Sequence, residues 1–381
     1  MNAYQRADEI TLVRSGPDYF ERLEALLDNA RERIHLQVYI FAEDETGRQV
    51  AAALKRAAQR GVQVWLLVDQ FGSRSLLSRA FIKDLSASGV HFRFFSHRIS
   101  FWKWHFGRTL HHKIAVADGV QALVGGINIA NKYRGTPNTT AWLDFAVFIR
   151  GDVCVYLESL CNSVYRFRYF RKKDLPKEGN WQIPDQHEGL LRFRQNDWMF
   201  RRNEIYRGYG QALSSAKESL ILTASYFLPQ RTFRRGLANM VRRGKTVEIL
   251  MSGPSDVPLI PSAEQYVQHW LLARGIRVFQ WEHSVMHGKS FLTDGRWASV
   301  GSYNINQLSR FRSLELNVEI LDPGFLRQYK ELLSALLTTQ CVEITLDSVS
   351  FKNWYKRIKA WLAYYFVYYG MQIFFVNKRL K

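Results

Sequence analysis

Apolar positions along the chain recur with two alternating periods. From Pro17 to about Ala30 they fall three and four apart, as on one face of a helix, and from Ile34 to Phe41 they run as in a half-buried or buried strand. A second helical pattern extends from about Glu45 to Arg60, and a second strand pattern from Val62 to Asp69. The same order starts again at Ile205. Gly61 and Gly244 stand where helix gives way to strand, the place of a C-terminal cap. Strand and helix in alternation predict an α/β fold, and the recurrence predicts two similar α/β/α halves. The polar stretch RKKDLPKEGNWQIPDQHEG, with its Pro and Gly, reads as the join between them. The pattern therefore divides the chain into residues 1–170, a linker over 171–190, a second half over 191–347 and a tail over 348–381.

Within each half one segment repeats almost letter for letter. HHKIAVADGVQALVGGIN contains His111, and HGKSFLTDGRWASVGSYN begins at His287. His111 and His287, Lys113 and Lys289, Asp118 and Asp294, Gly126 and Ser302, and Asn128 and Asn304 all differ by 176. Residues two apart on a strand share a face, so each His points the same way as its Lys. Asp-Gly between two apolar runs signals a tight hairpin turn. Each motif is thus expected to be a hairpin, with Asp118 and Asp294 as turn and structural residues.

Brought together, the two copies offer two imidazoles, two ammonium groups, two amides and a hydroxyl. That set suits an oxyanion and contains little that would hold a cation. With no Ser or Cys nucleophile beside them, one imidazole is expected to attack while the other gives a proton to the leaving alcohol. A phosphodiester is the natural substrate, because the lysines and amides can hold its oxygens through the transition state. The reaction then has two steps through a phosphohistidine, and no metal or other cofactor is called for. Reading His105, His111 and His112 as a zinc cluster fails on the neighbouring Lys113 and on the lack of a thiolate or carboxylate nearby.

The duplicated HxKxxxxD followed by GGxN or GSxN resembles the phospholipase D superfamily, and the resemblance covers nearly the whole chain. The segments YFLP and SGPSDVPL and the basic aromatic tail make it most similar to bacterial cardiolipin synthases. The resemblance implies two α/β/α halves with the active site at their interface. It implies a catalytic set of His111, Lys113, Asp118, His287, Lys289 and Asp294, with Asn128, Asn304 and Ser302 binding phosphate. It does not say which histidine is the nucleophile. It also implies an acid past each motif that orients the histidine: Asp144 and Glu319, 33 and 32 residues after their histidines, with Glu315 as a competitor. Asn306 departs from the family pattern, in which Asp commonly follows GSxN. The implied activity is transfer of a phosphatidyl group from one phospholipid to the hydroxyl of another, phosphatidylglycerol giving cardiolipin and glycerol. Phosphatidylethanolamine is a further candidate substrate. A phospholipase D-type hydrolase or nuclease is the alternative, and a scaffold with a dead site would need one motif broken.

Charge and length complete the picture. A chain of 381 residues, 47% hydrophobic, can build two full cores, and a net charge of +19 calls for an anionic partner. Phospholipid headgroups and nucleic acid both qualify, but no nucleic-acid recognition motif is present. After Asp347 there is no acidic residue, and basic residues flank the uncharged run AWLAYYFVYYGMQIFFVN. Trp354, Ile358, Trp361, Leu362, Tyr365 and Phe366 fall at helical spacing, which predicts an interfacial helix rather than a spanning one, or else a helix packed on the catalytic body. Before the first motif, ten extra residues within SHRISFWKWHFGRTL form either a packed surface loop or a lip at the membrane interface. Three cysteines, Cys154, Cys161 and Cys341, without metal-ligand spacing, and an N-terminus without an apolar core place the enzyme on the cytoplasmic face of a membrane. With both motifs in one chain, no oligomer is required.

Overall fold

The computed structural model describes residues 3–95, 108–166, 188–197, 202–349 and 354–373. In the first half the order is β1 (Gln5–Arg6), β2 (Glu9–Arg14), α1 (Pro17–Asn29), β3 (Arg33–Val38), α2 (Glu45–Gln59), β4 (Gln63–Asp69), α3 (Gln70–Ser73), α4 (Arg79–Ala87) and β5 (Val90–Phe95). It continues with β6 (Thr109–Leu110), β7 (Lys113–Ala117), β8 (Gln121–Gly125), α5 (Asn131–Arg134), β9 (Phe145–Arg150) and α6 (Cys154–Tyr165). The second half opens with β10 (Leu190–Asp197), β11 (Arg202–Asn203), α7 (Glu204–Ser215), β12 (Ser219–Ala224), α8 (Arg231–Arg242), β13 (Thr246–Ser252) and α9 (Ile260–Leu272). Then come β14 (Arg277–Trp281), β15 (Lys289–Thr293), β16 (Trp297–Gly301), α10 (Gln307–Phe311), β17 (Ser313–Ile320), α11 (Pro323–Ala335), β18 (Cys341–Ile344) and α12 (Trp354–Ile373).

Each half builds one mixed sheet, and the strand orders match. The first runs β2-β9-β8-β7-β3-β4-β5, and the second contains β10-β17-β16-β15-β12-β13-β14. β3, β4 and β5 are parallel, as helical crossovers require, whereas β7, β8 and β9 form an antiparallel meander. The first half also lends strands to the second: β1 pairs with β10 and β6 with β17, so residues of the first half extend the second sheet. Leu190, placed in the linker by its composition, is instead the first residue of β10. The rest of the linker up to 187, and residues 96–107 of the insertion before the first motif, lie outside the described residues.

Three apolar cores follow from this arrangement. One lies under α1 and α2, one under α7, α8 and α9, and the third joins the halves. The shared core brings Val116, Val124 and Val147 together with Val300, Leu316 and Val318, and α6 and α11 complete it through Leu157, Cys161, Tyr329 and Leu333. Alternating strand residues that point away from the helices meet across this plane, which is why the motif strands β7 and β15 are buried on both faces. Burial of each such side chain contributes about 1.5–3 kcal/mol, so the join between halves is a core in its own right.

The tail forms helix α12, which docks on α9. Ala360, Ala363 and Tyr364 are buried there, and the Tyr364 hydroxyl donates to the Pro229 carbonyl at 3.3 Å. Its other side leaves Trp354, Ile358, Trp361, Leu362 and Phe366 exposed. The expectation of a helix packed on the catalytic body is thus met, through Ala360, Ala363 and Tyr364, while the large apolar side chains of the other side stay open. Among the described residues no helix is long and apolar enough to cross a membrane.

Candidate active site

Asp118 and Asp294 sit at the turns, at the far ends of the motif strands from the histidines. Their φ values of 55° and 54°, followed by Gly119 at 65° and Gly295 at 63°, are those of a two-residue hairpin turn. The Asp118 carboxylate accepts from the backbone N–H groups of Arg31, Glu32 and Arg33 at 2.8–2.9 Å. Asp294 does the same for Lys217, Glu218 and Ser219, at 2.8–2.9 Å. Inclusion of the aspartates in a catalytic set is therefore corrected. They tie each hairpin to the start of the neighbouring strand, β3 or β12, and thereby set the reach of the histidine at the other end.

At that end the halves trade partners. The His287 backbone N–H donates to the Leu143 carbonyl at 2.7 Å, and that of His111 to the Leu314 carbonyl at 3.0 Å. The acid after each of these leucines meets the imidazole of the opposite motif. His287 Nδ1 lies 2.6 Å from Asp144 Oδ2, and His111 Nδ1 lies 2.9 Å from Glu315 Oε2. Asp144 thus serves the histidine of the other half rather than its own. Glu319 is corrected outright: its carboxylate is held by Arg192 Nε at 2.5 Å and Arg194 Nε at 3.3 Å, with Tyr4 alongside, and touches neither histidine.

The register explains the difference. Gly125 pairs with Ala146 across β8 and β9, and Gly301 pairs with Asn317 across β16 and β17. Ala146 and Asn317 differ by 171, as do Asp144 and Glu315, so the connection from motif to acid is five residues shorter in the second half. Equal spacing from the histidines misplaces the acid by that amount; alignment on the strands finds it.

The motif glycines now have reasons. A Cβ on Gly126 would come within 2.4 Å of Asp144 Oδ1, so only glycine lets this short acid approach. The matching residue, Ser302, stands beside the longer Glu315 and donates to its Oε2 at 2.5 Å. Its hydroxyl proton is thereby committed to the carboxylate, which moves Ser302 from the phosphate-binding set to the support of Glu315. Asn128 is also engaged: Oδ1 accepts from Ile40 N at 2.9 Å, and Nδ2 donates to the Tyr133 hydroxyl at 2.8 Å. Asn304 Oδ1, by contrast, is buried with no partner. Asn306 caps α10 by accepting from Ser309 N at 3.1 Å, a task that Asp would perform equally.

Burial and charge set the protonation of the site. Lys113 Nζ donates to the His111 carbonyl at 2.5 Å, and Lys289 Nζ to that of His287. Burial lowers the Lys113 ammonium to about 7 and that of Lys289 to about 8, although Glu315 and Asp144 pull them upward. Burial, reinforced by Lys289 and Lys113, holds the His287 imidazole well below its ordinary range. His111 is lowered too, by burial first, with Glu315 opposing. Burial raises Asp144 to about 7 against the pull of Lys289. With Nδ1 of each ring on a carboxylate, Nε2 of each is left to face a substrate.

His112 is a different kind of residue, although adjacent. It faces the other side of the strand, where Nε2 lies 2.8 Å from Gln37 Oε1, and burial lowers its pKa to about 3. Several site residues carried no motif signal. Tyr133, Trp142 and Tyr226 surround His287, and the Tyr39 ring lies 5.0 Å from His111. Tyr39 and Tyr226 follow the first strand of each helix-flanked unit, a recurrence that could have revealed them.

A duplicated unit that faces two His-Lys pairs across a shared core defines a protein of the phospholipase D superfamily. More particularly, the chain belongs to the family described as "Cardiolipin synthase, PLD-like domain", which matches residues 23–139 and 209–337. It is similar to cardiolipin synthase B of Escherichia coli (strain K12), 30% identical over 372 residues that cover 96% of this chain and 89% of that protein. Cardiolipin synthase 1 of Staphylococcus aureus (strain COL) is 30% identical over 316 residues, 80% of this chain and 62% of that one. Among solved structures, phosphatidylserine synthase of Haemophilus influenzae Rd KW20 shares the fold with a TM-score of 0.76 at 17% identity, covering 96% of this chain and 95% of that one.

Proposed function

We propose that this chain is a phosphatidyltransferase of the cardiolipin synthase type, acting on phosphatidylglycerol at an anionic membrane surface. The observation that carries the reading is the reciprocal pairing of Asp144 with His287 and Glu315 with His111, beside two buried lysines. In the first step Nε2 of one histidine attacks phosphorus, the bond to the glycerol oxygen breaks, and the other imidazolium gives that oxygen a proton. In the second step the hydroxyl of another phosphatidylglycerol attacks, its proton passes to the waiting imidazole, and the bond to nitrogen breaks. Lys113 and Lys289 through Nζ and Asn304 through Nδ2 donate to the phosphoryl oxygens, and the carboxylates fix the imidazole tautomers and stabilise the charge that each ring acquires.

Membrane contact is assigned to α12. Its exposed row of Trp, Ile, Leu and Phe suits the headgroup boundary, and the basic residues around it in the sequence add attraction of about 1 kcal/mol each near an anionic surface. The three cysteines are unpaired, which suits the cytoplasmic face. The test is incubation with phosphatidylglycerol vesicles in chelator, with a His111→Asn control and mass spectrometry of the lipids. Cardiolipin with released glycerol is expected from the native chain and not from the variant. Phosphatidic acid as the sole product would make the chain a hydrolase.

A further inference from the structure

Three aromatic rings surround His287, and they come from both halves. The ring centroids of Tyr133, Trp142 and Tyr226 lie 5.3, 5.8 and 5.9 Å from the imidazole. An ammonium group already rests on two of them: Lys132 Nζ is 3.9 Å from the Trp142 centroid and 5.8 Å from that of Tyr133. Asp256 closes the set, with Oδ2 3.7 Å from Lys132 Nζ and Oδ1 accepting from the Tyr226 hydroxyl at 2.6 Å. Lys132 is held there by its backbone, since its carbonyl accepts from Trp142 N at 2.8 Å. The side chains of Lys132 and Asp256 remain 36% and 34% exposed, so the box opens to solvent beside the catalytic ring.

Aromatic faces with a carboxylate at the edge are what binds an alkylammonium ligand. In this chain the protein's own lysine fills that place. We propose that Lys132 sets headgroup specificity: by occupying the box of Tyr133, Trp142, Tyr226 and Asp256, it turns away phospholipids whose alcohol carries an ammonium and admits the uncharged hydroxyls of a glycerol headgroup. A second cation there would be both displaced from the rings and repelled at short range, whereas a hydroxyl can accept from Nζ. The proposal rests on the phosphatidyltransferase reading and puts the departing or entering alcohol on the His287 side of phosphorus.

The test uses vesicles of phosphatidylglycerol with equal amounts of phosphatidylethanolamine and phosphatidylcholine, and measures glycerol, ethanolamine and choline released by the native chain and by Lys132→Ala. In the variant the ratio of the two ammonium alcohols to glycerol should rise about tenfold, and adding Asp256→Asn should reverse the gain. An equal fall for all three alcohols, with the ratio unchanged, would show that the lysine only ties the halves together and would overturn the proposal. Should Lys132→Ala lose turnover altogether, calorimetry with tetramethylammonium chloride decides. Binding to the folded variant and not to the native chain supports the box, and binding to neither refutes it. Release of no alcohol by the native chain would count against phosphatidyl transfer instead, and the calorimetry would still judge the box.

Discussion

Each imidazole has two nitrogens, and the chemistry depends on which one is free. Asp144 and Glu315 take Nδ1 of His287 and His111, so exchanging either acid for its amide disturbs tautomer and charge together. Glu315→Gln should lower kcat by about 100-fold or more with the fold intact, as expected for loss of an acid–base support. Glu319→Gln should act differently. It takes the anionic partner from two buried guanidinium groups, costing about 3–5 kcal/mol of stability, and its thermal unfolding should show this while turnover per folded molecule persists. Equal kinetic loss in both variants would remove the distinction between the two acids. The lysines give a pH signature. Both are charged below their lowered values of about 7 and 8, and the charged form is the one that holds a phosphodiester. In the free enzyme kcat/KM should therefore fall as pH rises through 7 to 8, and a profile still rising through that window would contradict the assignment. The motifs made His111, Lys113, His287 and Lys289 legible, because a shared face follows from the period of a strand. Glu315 was obscured by a five-residue difference in the connection that precedes it, and Ser302 by a role that depends on its neighbour.

Helices and strands inherit their legibility from the apolar pattern. α1, α2 and β4 lie within one residue of the spans that the periodicity predicts. β10 escaped it, because Arg192, Arg194, Gln195, Asn196 and Asp197 are buried in that strand, the arginines paired with Glu319 and Gln195 bonded to Tyr156, so that a polar run occupies an interior position. The pairing of β1 and β6 with the second sheet was equally hidden, since strands of two residues carry no period. α12 is the element to which we assign membrane contact. Trp361→Ala combined with Phe366→Ala removes two exposed side chains while sparing Ala360, Ala363 and Tyr364, which dock the helix. Binding to anionic vesicles should weaken about tenfold or more, with unfolding temperature unchanged. Unaltered sedimentation with vesicles would mean that some other surface meets the lipid.

At the scale of the whole molecule the duplication explains why neither half suffices. Leu143 and Leu314 carry each acid across the join, the shared core of Val116, Val147, Leu316 and Val318 holds the join rigid, and each histidine is completed only by its opposite half. The pseudo-twofold arrangement lets one set of groups serve two successive displacements, first by the protein and then by the acceptor. Two halves were readable from the recurrence of 176 residues, but the exchange of acids between them was not, because sequence spacing is blind to which strand lies alongside which. The central claim is that transfer passes through a histidine, and its most direct test is the stereochemistry at phosphorus. Phosphatidylglycerol made chiral at phosphorus with sulfur or oxygen isotopes should give product with configuration retained, the sum of two in-line inversions. Inversion would mean that the acceptor attacks the lipid directly and that neither His111 nor His287 carries the phosphatidyl group.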